Sequence, residues 1–337
     1  MAENEAALIA RFRSAFSPLE KGVGIGDDAA VIPTTSSTVI TTDLFVEGVD
    51  FTKEIPARFV GEKSLSANLS DLAAMGATPS YFVISVGIPA AGFDLDGMIA
   101  GMVEVARRHQ IILVGGDLSM ADQLLISITA LGSAGDRSLL RSNGKPGHSL
   151  YLSRPVGGAQ AGFQLLQKGW SIRSDGTVVP PGQAFSFTDR EVAASAIRRH
   201  VSPEPEVGLG IVLAGIRDVG ACIDISDGLS TDLDHLCKSS NCGALIEKDR
   251  IPVFEGLGAA ARALGIDVAS CVLHGGEEYA LLFTSTLTES ELSSRARRPV
   301  YRIGRLTGGP EIVLEDGGKS VVLTPGGFDH FAPGNRL

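Results

Sequence analysis

A chain of 337 residues is too long for one ordinary core and suits two domains of roughly 150 residues each. Its net charge of −10, with no basic stripe, excludes a broad nucleic-acid surface, although an acidic protein can still take phosphates when cations sit between. Hydrophobic residues at 44% are enough to fill real cores, and glycines and prolines spread along the chain indicate tight turns rather than a disordered tail.

The opening MAENEAALIARFRSAF sets Leu8, Ile9, Phe12 and Phe16 on one helical face and lacks a signal-peptide apolar core. Residues 38–42 read as a buried strand and 58–75 as a helix closed by Gly76, with Pro79 beyond. Strand 81–89, amphipathic helix 95–109 and strands 111–117 and 124–134 follow. The turn-rich stretch 135–148 places a domain boundary near residue 142, dividing 1–142 from 143–337. The second half restarts with strand 149–153 and a glycine-rich turn into a helix over 158–168. Residues 170–187 read as loop, 188–200 and 207–219 as helices, 221–226 as strand and 228–239 as helix. Strands are expected at 279–284, 300–305 and 311–323, the last turning at EDGGKS.

Cys222, Cys237, Cys242 and Cys271 lack CxxC spacing, so no zinc ribbon or thioredoxin-like site is indicated and free thiols are expected. No run of about 18 apolar residues occurs, and a cytoplasmic location is the expectation.

Aspartates recur where apolar strands meet turns. They are Asp27 and Asp28 in GIGDDAAVI, Asp43 in VITTDLF, Asp117 in IILVGGDL, and Asp224 with Asp227 in CIDISDGLS. Each alone has a plain reading, because Asp suits turns and helix N-caps. Asp71 differs. On helix 58–75, Val60, Leu65, Leu69 and Leu72 form the apolar stripe, while Ser64, Asn68 and Asp71 form a separate polar one. Short polar side chains cost helix propensity, a choice that a cleft would explain; a solvated face is the alternative.

Two carboxylates about 5 Å apart repel by roughly 3 kcal/mol at an effective dielectric near 20. If the aspartates converge, the cluster is strongly destabilising unless it is protonated or bridged by cations, and the metal reading is the one taken. Mg²⁺ takes one or two carboxylates and completes its shell with water and substrate phosphates, so a phosphate-bearing substrate follows. The familiar phosphate motifs are absent: GKS at Gly318–Ser320 has Val313 where a P-loop needs glycine, and reads better as a hairpin turn. GVGIGDDA is a weak glycine pattern, and no protein-kinase set, GxSxG or HExxH occurs. His235 and Cys237 on one helix make no metal site alone. Arg141 in LRSNGKPG is a candidate phosphate partner.

Taken in order, GIGDDAAV (24–31), TTDLFVEGVDF (41–51), NLSDLAAMGATP (68–79), GGD (115–117), RSNGKPG (141–147), DISDGLSTDL (224–233), GGEEYALLFT (275–284) and GFDHF (327–331) resemble the thiamine-monophosphate kinase family. The likeness spans nearly the whole chain. GIGDDA and the GGE element are shared more widely, with aminoimidazole-ribotide synthetase, selenophosphate synthetase and HypE.

The resemblance implies a two-domain α/β fold. Its N-terminal α/β domain contributes to a dimer-spanning β-barrel, with ATP near the subunit interface and a C-terminal α/β domain facing it. By position, Asp28, Thr41, Thr42, Asp43, Asp71, Asp117, Asp224 and Asp227 are the expected sphere of several Mg²⁺ ions. Gly116, Asp117, Arg141, Ser226 and His109 are the expected ATP contacts, with Arg141 also a charge stabiliser. Asp50, Glu277, Pro325 and Phe328 are the expected substrate contacts. Three positions depart from the pattern: Asp50 stands where the family often has His, His109 where an aromatic is common, and Pro325 where some members place an aromatic.

The activity so implied is phosphorylation of thiamine monophosphate by ATP, in line and without a phosphoenzyme. An aminoimidazole-ribotide-synthetase-like enzyme and a non-catalytic ATP–Mg²⁺ sensor are the other readings.

Overall fold

The computed structural model describes residues 30–32, 37–89, 93–182 and 187–331. The expected N-terminal helix and the turn bearing Asp27 and Asp28 lie outside the described residues.

Five strands of the first half form one sheet in the order β1-β2-β5-β3-β4. They are β1 (Ala30–Ile32), β2 (Thr38–Val46), β3 (Thr78–Pro89), β4 (Ile112–Ala121) and β5 (Leu125–Ser133). Only β3 and β4 run parallel, so they need a crossover. Helix α2 (Leu95–His109) supplies it, capped at its start by Asp94 and ended by left-handed Gln110. Along β5, residues alternate between buried and half-buried, the mark of a strand with one face on a core. Strand β4 at the sheet edge is exposed along its length, and Ile112, Leu113, Val114, Leu118 and Met120 are each more than half exposed.

Helix α1 (Ala57–Ala74) departs from the expected amphipathic pattern, for 16 of its 18 residues are buried, so neither a solvated face nor a single apolar stripe describes it. It lies between the two halves, touching α2, β2, β5 and, from the second half, α5 (Val207–Ala214) and β9 (Val219–Asp224). Close approach to α2 depends on glycine. A Cβ on Gly61 would sit 2.1 Å from the Met98 carbonyl oxygen, and one on Gly101 1.9 Å from that of Arg58. Glu62 of α1 is satisfied within the helix and across the seam, accepting from Arg58 Nε at 2.9 Å and from the Ser202 hydroxyl at 2.5 Å.

The second half forms a seven-stranded sheet in the order β14-β13-β10-β12-β6-β11-β9. Its strands, besides β9, are β6 (Ser149–Leu152), β10 (Gly243–Glu247), β11 (Leu281–Ser285), β12 (Tyr301–Thr307), β13 (Ile312–Asp316) and β14 (Lys319–Val322). Helices α3 (Gly158–Gln167), α4 (Phe187–Val201), α6 (Leu229–Ser240), α7 (Leu257–Leu264), α8 (Val268–His274) and α9 (Glu289–Ala296) accompany it. Antiparallel β13 and β14 turn at Gly317 and Gly318, both with positive φ, in agreement with the hairpin reading of GGKS.

Several expectations fail. Helix 207–219 stops at Ala214, because Gly215 ends it and Val219 already begins β9. The Arg137 guanidinium caps that stop, donating to the carbonyls of Leu213, Ala214, Ile216 and Val219. Residues 170–187 hold a small hairpin, β7 (Ser171–Ile172) with β8 (Val178–Val179), and β10, α7 and α8 were not anticipated. All four cysteines are buried and free. Among the described residues no single helix is long and apolar enough to cross a membrane.

Candidate active site

Where α1 meets the two sheets, a cleft of about 650 Å³ opens. Asp43 from β2, Asp71 from α1, Asp224 at the end of β9 and Asp227 in the turn before α6 all line it. Residues far apart in sequence thus bring four carboxylates to one place.

Alternation along β2 sorts its residues. Thr41 and Asp43 share a face, and the Thr41 hydroxyl donates to Asp71 Oδ2. Thr42 points the other way, donating to the Ile128 carbonyl at 3.0 Å and accepting from Thr129 at 3.0 Å. Its period-2 position takes it off the cleft. On α1 the neighbours Ser70 and Asp71 reach different elements, and the Ser70 hydroxyl donates to Asp224 Oδ2 at 2.6 Å. Asp224 itself is 1% exposed.

Asp232, in the first turn of α6, shapes the Asp227–Gly228 turn by accepting both backbone N–H groups, at 3.1 and 2.9 Å. Burial, and then the charges of Asp227 and Asp224, push its carboxyl well above the ordinary range. The buried Tyr279 phenol is likewise pushed well up, by burial first and then by Glu277, Asp43, Asp224 and Asp50. Negative charge is concentrated here.

Glu277 and Tyr279 adopt left-handed backbone, with φ of 60° and 47°. Such conformations cost side-chain-bearing residues about 1 kcal/mol or more each, and recur where function fixes them. Hydrogen bonds from Glu277 N–H to Ser226 O (2.7 Å) and from Tyr279 N–H to Ile225 O (2.8 Å) hold the loop. The Glu277 carboxylate meets Lys63 Nζ at 2.5 Å and His200 Nδ1 at 2.9 Å. Burial alone would raise it, but Lys63 and then His200 hold it down at about 2. Burial, and then the Lys63 charge, depress His200, while Glu277 works to raise it.

The segment after β14 crosses the start of α6. Gly326 N–H donates to Ser230 Oγ, Gly327 N–H to Thr231 Oγ1 and Phe328 N–H to the Asp227 carbonyl, at 3.2, 3.0 and 3.0 Å. This brings Phe328 to the cleft, beside Asp50, Ser226 and Glu277.

Other expected residues lie elsewhere in the chain. Gly116 and Asp117 sit on the exposed edge strand β4, by an apolar groove between β4 and α2. His109 ends α2, with Nε2 3.5 Å from Glu204. Pro325 is exposed and outside the cleft. Arg141 lies in a 3-10 turn over 141–143 beneath α6; it does not line the cleft, yet its charge lowers the Asp232 carboxyl. Asp28 is outside the described residues. Among the described residues, no three of His, Cys, Asp and Glu form a group that encloses a metal by itself.

Sequence reading missed Lys63, His200, Phe163 and Asp232. Lys63 had a signal: it precedes cleft-lining Ala67 and Asp71 at four-residue steps along α1.

Residues 26–134 match the family model described as AIR synthase related protein, N-terminal domain. With the two sheets and the aspartate cleft, that defines a two-domain α/β protein of the AIR-synthase-related class. The thiamine-monophosphate kinase of Buchnera aphidicola subsp. Schizaphis graminum is 32% identical over 343 residues, 98% of this chain and 100% of that one. A structure of the Stenotrophomonas maltophilia thiamine-monophosphate kinase aligns with TM-score 0.72 at 32% identity, covering 95% of this chain and 99% of that one. AaThiL complexed with AMPPCP and TMP aligns with TM-score 0.81 at 26% identity, covering 97% of each chain. The chain belongs to the thiamine-monophosphate kinase family, as its motifs indicated.

Proposed function

We propose that this protein transfers the γ-phosphoryl group of ATP directly to thiamine monophosphate, giving thiamine diphosphate and ADP. One observation carries the reading: Asp43 and Asp71 meet Asp224 and Asp227 in a single cleft. Family membership supports it, as does the likeness to AaThiL, which was solved with AMPPCP and TMP.

The donor chemistry fits Mg²⁺: its atoms are hard carboxylate oxygens, Thr41 and Ser70 hold two of the carboxylates in place, and no three of these groups enclose an ion by themselves among the described residues, so substrate phosphate and water would complete the shell. Asp43, Asp71, Asp224 and Asp227 would hold the ions, with Asp28 as a further candidate. Bound there, the metal neutralises the phosphate charge that keeps donor and acceptor apart. The attacking phosphate oxygen is already anionic at neutral pH, so no general base is required. That oxygen bonds to the γ-phosphorus as the bond to the β–γ bridging oxygen breaks, and ADP leaves. Ser226 is assigned to ATP, with Arg141, outside the cleft, kept there on family likeness alone; Asp50 and Phe328 are assigned to the acceptor, and Glu277 to the loop beside it.

The exposed apolar edge of β4 supports a homodimer joined along this strand, since an unpaired hydrophobic edge is otherwise an aggregation hazard. Gly116 and Asp117 lie on β4, so their roles toward ATP and magnesium fall at the subunit boundary. His109, engaged by Glu204, and Pro325, outside the cleft, carry no role in this reading, nor does Thr42 as a ligand. The chain divides near residue 142, between β5 and β6. Four buried free thiols suit a reducing cytoplasm.

Purified protein given ATP, Mg²⁺ and thiamine monophosphate should form thiamine diphosphate and ADP one for one. Rapid quench with γ-labelled ATP should trap no protein-bound phosphate. ATP turnover without diphosphate product, or a chemically competent phosphoenzyme, would sink the reading.

A further inference from the structure

Asp50 and Glu277 both line the cleft, yet they stand in different electrostatic settings. Glu277 has a protein partner at each oxygen: Lys63 Nζ at Oε1 and His200 Nδ1 at Oε2. Lys63 is buried and has one positive charge to give. Its ammonium also donates to Asp50, but to the backbone carbonyl at 3.2 Å, not to the carboxylate. The Asp50 side chain takes a single hydrogen bond among the described residues, from Val46 N–H to Oδ2 at 2.7 Å. Lys63 is thus engaged by the Glu277 carboxylate and reaches Asp50 only at its backbone carbonyl, while burial pushes the Asp50 carboxyl up from the ordinary range.

Two aromatic rings belong to the same neighbourhood. Phe163 stacks at a tilt on His200, with centroids 5.4 Å apart, and Phe328 meets His330 edge to face at 4.8 Å. His330 is exposed and is the other cationic group whose charge Asp50 feels, beside Lys63. A half-buried carboxylate that forms no close ion pair among the described residues, in a cleft also lined by Phe163 and Phe328, is a surrounding that favours a flat cation.

We propose that Asp50 reads the positive charge of the acceptor's ring, while Glu277 is a positioning residue that fixes the loop and leaves ring charge unread. The inference deepens the functional reading above and rests on it, since the thiazolium ring of thiamine monophosphate carries a fixed positive charge.

The test compares two acceptors, thiamine monophosphate and its neutral isostere in which a thiophene replaces the thiazolium. Both acceptors are assayed at the same pH and ionic strength. In the wild type, kcat/KM favours the cation. Asp50→Asn keeps the size of the side chain and an acceptor for Val46 N–H. It should cut the cation-to-isostere ratio at least about tenfold, chiefly through KM for the cation. Glu277→Gln should slow both acceptors and leave the ratio within about twofold. Asp50→Ser gives the same readout if the Asn variant does not fold. An unchanged ratio in the Asp50 variant, or a ratio that collapses in Glu277→Gln instead, overturns the inference alone. Failure of the wild type to convert thiamine monophosphate would overturn the functional reading and this inference with it.

Discussion

Replacing Lys63 by Met tests whether the buried ion pair fixes the loop that carries Glu277. A carboxyl moved from an ordinary 4.5 to about 2 corresponds to about 3 kcal/mol of preference for its charged form. Glu277 keeps 29% of its side-chain surface open to the cleft, so solvent trims this to about 2–3 kcal/mol. Because the folded value is depressed, the stabilisation is complete above about pH 5 and fades as pH falls from 4.5 toward 2. Urea unfolding should therefore place Lys63→Met about 2–3 kcal/mol below wild type at pH 7, with the gap closing toward pH 3. A cycle adding Glu277→Gln and the double variant should show coupling of about 1–3 kcal/mol, because each partner alone leaves the other buried without its counter-charge. Coupling below about 0.5 kcal/mol, or unfolding curves that stay parallel at every pH, would refute the reasoning.

Asp71→Asn and Asp43→Asn should lower turnover at least about a hundredfold while the apo protein melts at the same temperature or a few degrees higher, since carboxylate repulsion is relieved. Calorimetry beside steady-state assays checks both. A variant that unfolds without a separate catalytic loss would return these residues to a structural role. Gly327→Ala places a Cβ about 2.2 Å from the Asp227 carbonyl oxygen and must lift the segment carrying Phe328. KM for thiamine monophosphate should rise about tenfold or more, with KM for ATP little changed. Equal effects on both substrates would deny Phe328 a place at the acceptor.

Much of this architecture was legible in the sequence, for physical reasons. Helix 95–109 carries its own start and stop, Asp94 and Gln110, and its apolar spacing is regular. The aspartates could be singled out because they interrupt apolar strands at turns. What escaped depends on neighbours distant in the chain. Helix α1 packs against elements of both halves, so polar residues such as Glu62 and Lys63 are buried where a helix pattern places solvent. A lysine on a helix reads as a solvated charge until its partner, 214 positions later, is in view. Thr42 is one step from Thr41 along β2, so its hydroxyl goes to the opposite face. Strand β10 is five residues long and α7 eight, too brief for periodicity to separate them from loop.

Adjacent residues of one helix tie the two halves together: Ser70 to Asp224 on one side, Asp71 to Thr41 on the other. Helical rise and rotation, about 1.5 Å and 100° per residue, thus act as a caliper on the gap between the opposing acids. Swinging the sheets apart to admit a larger ligand would break one of these ties, so the spacing is a property of the backbone and not of the ligand.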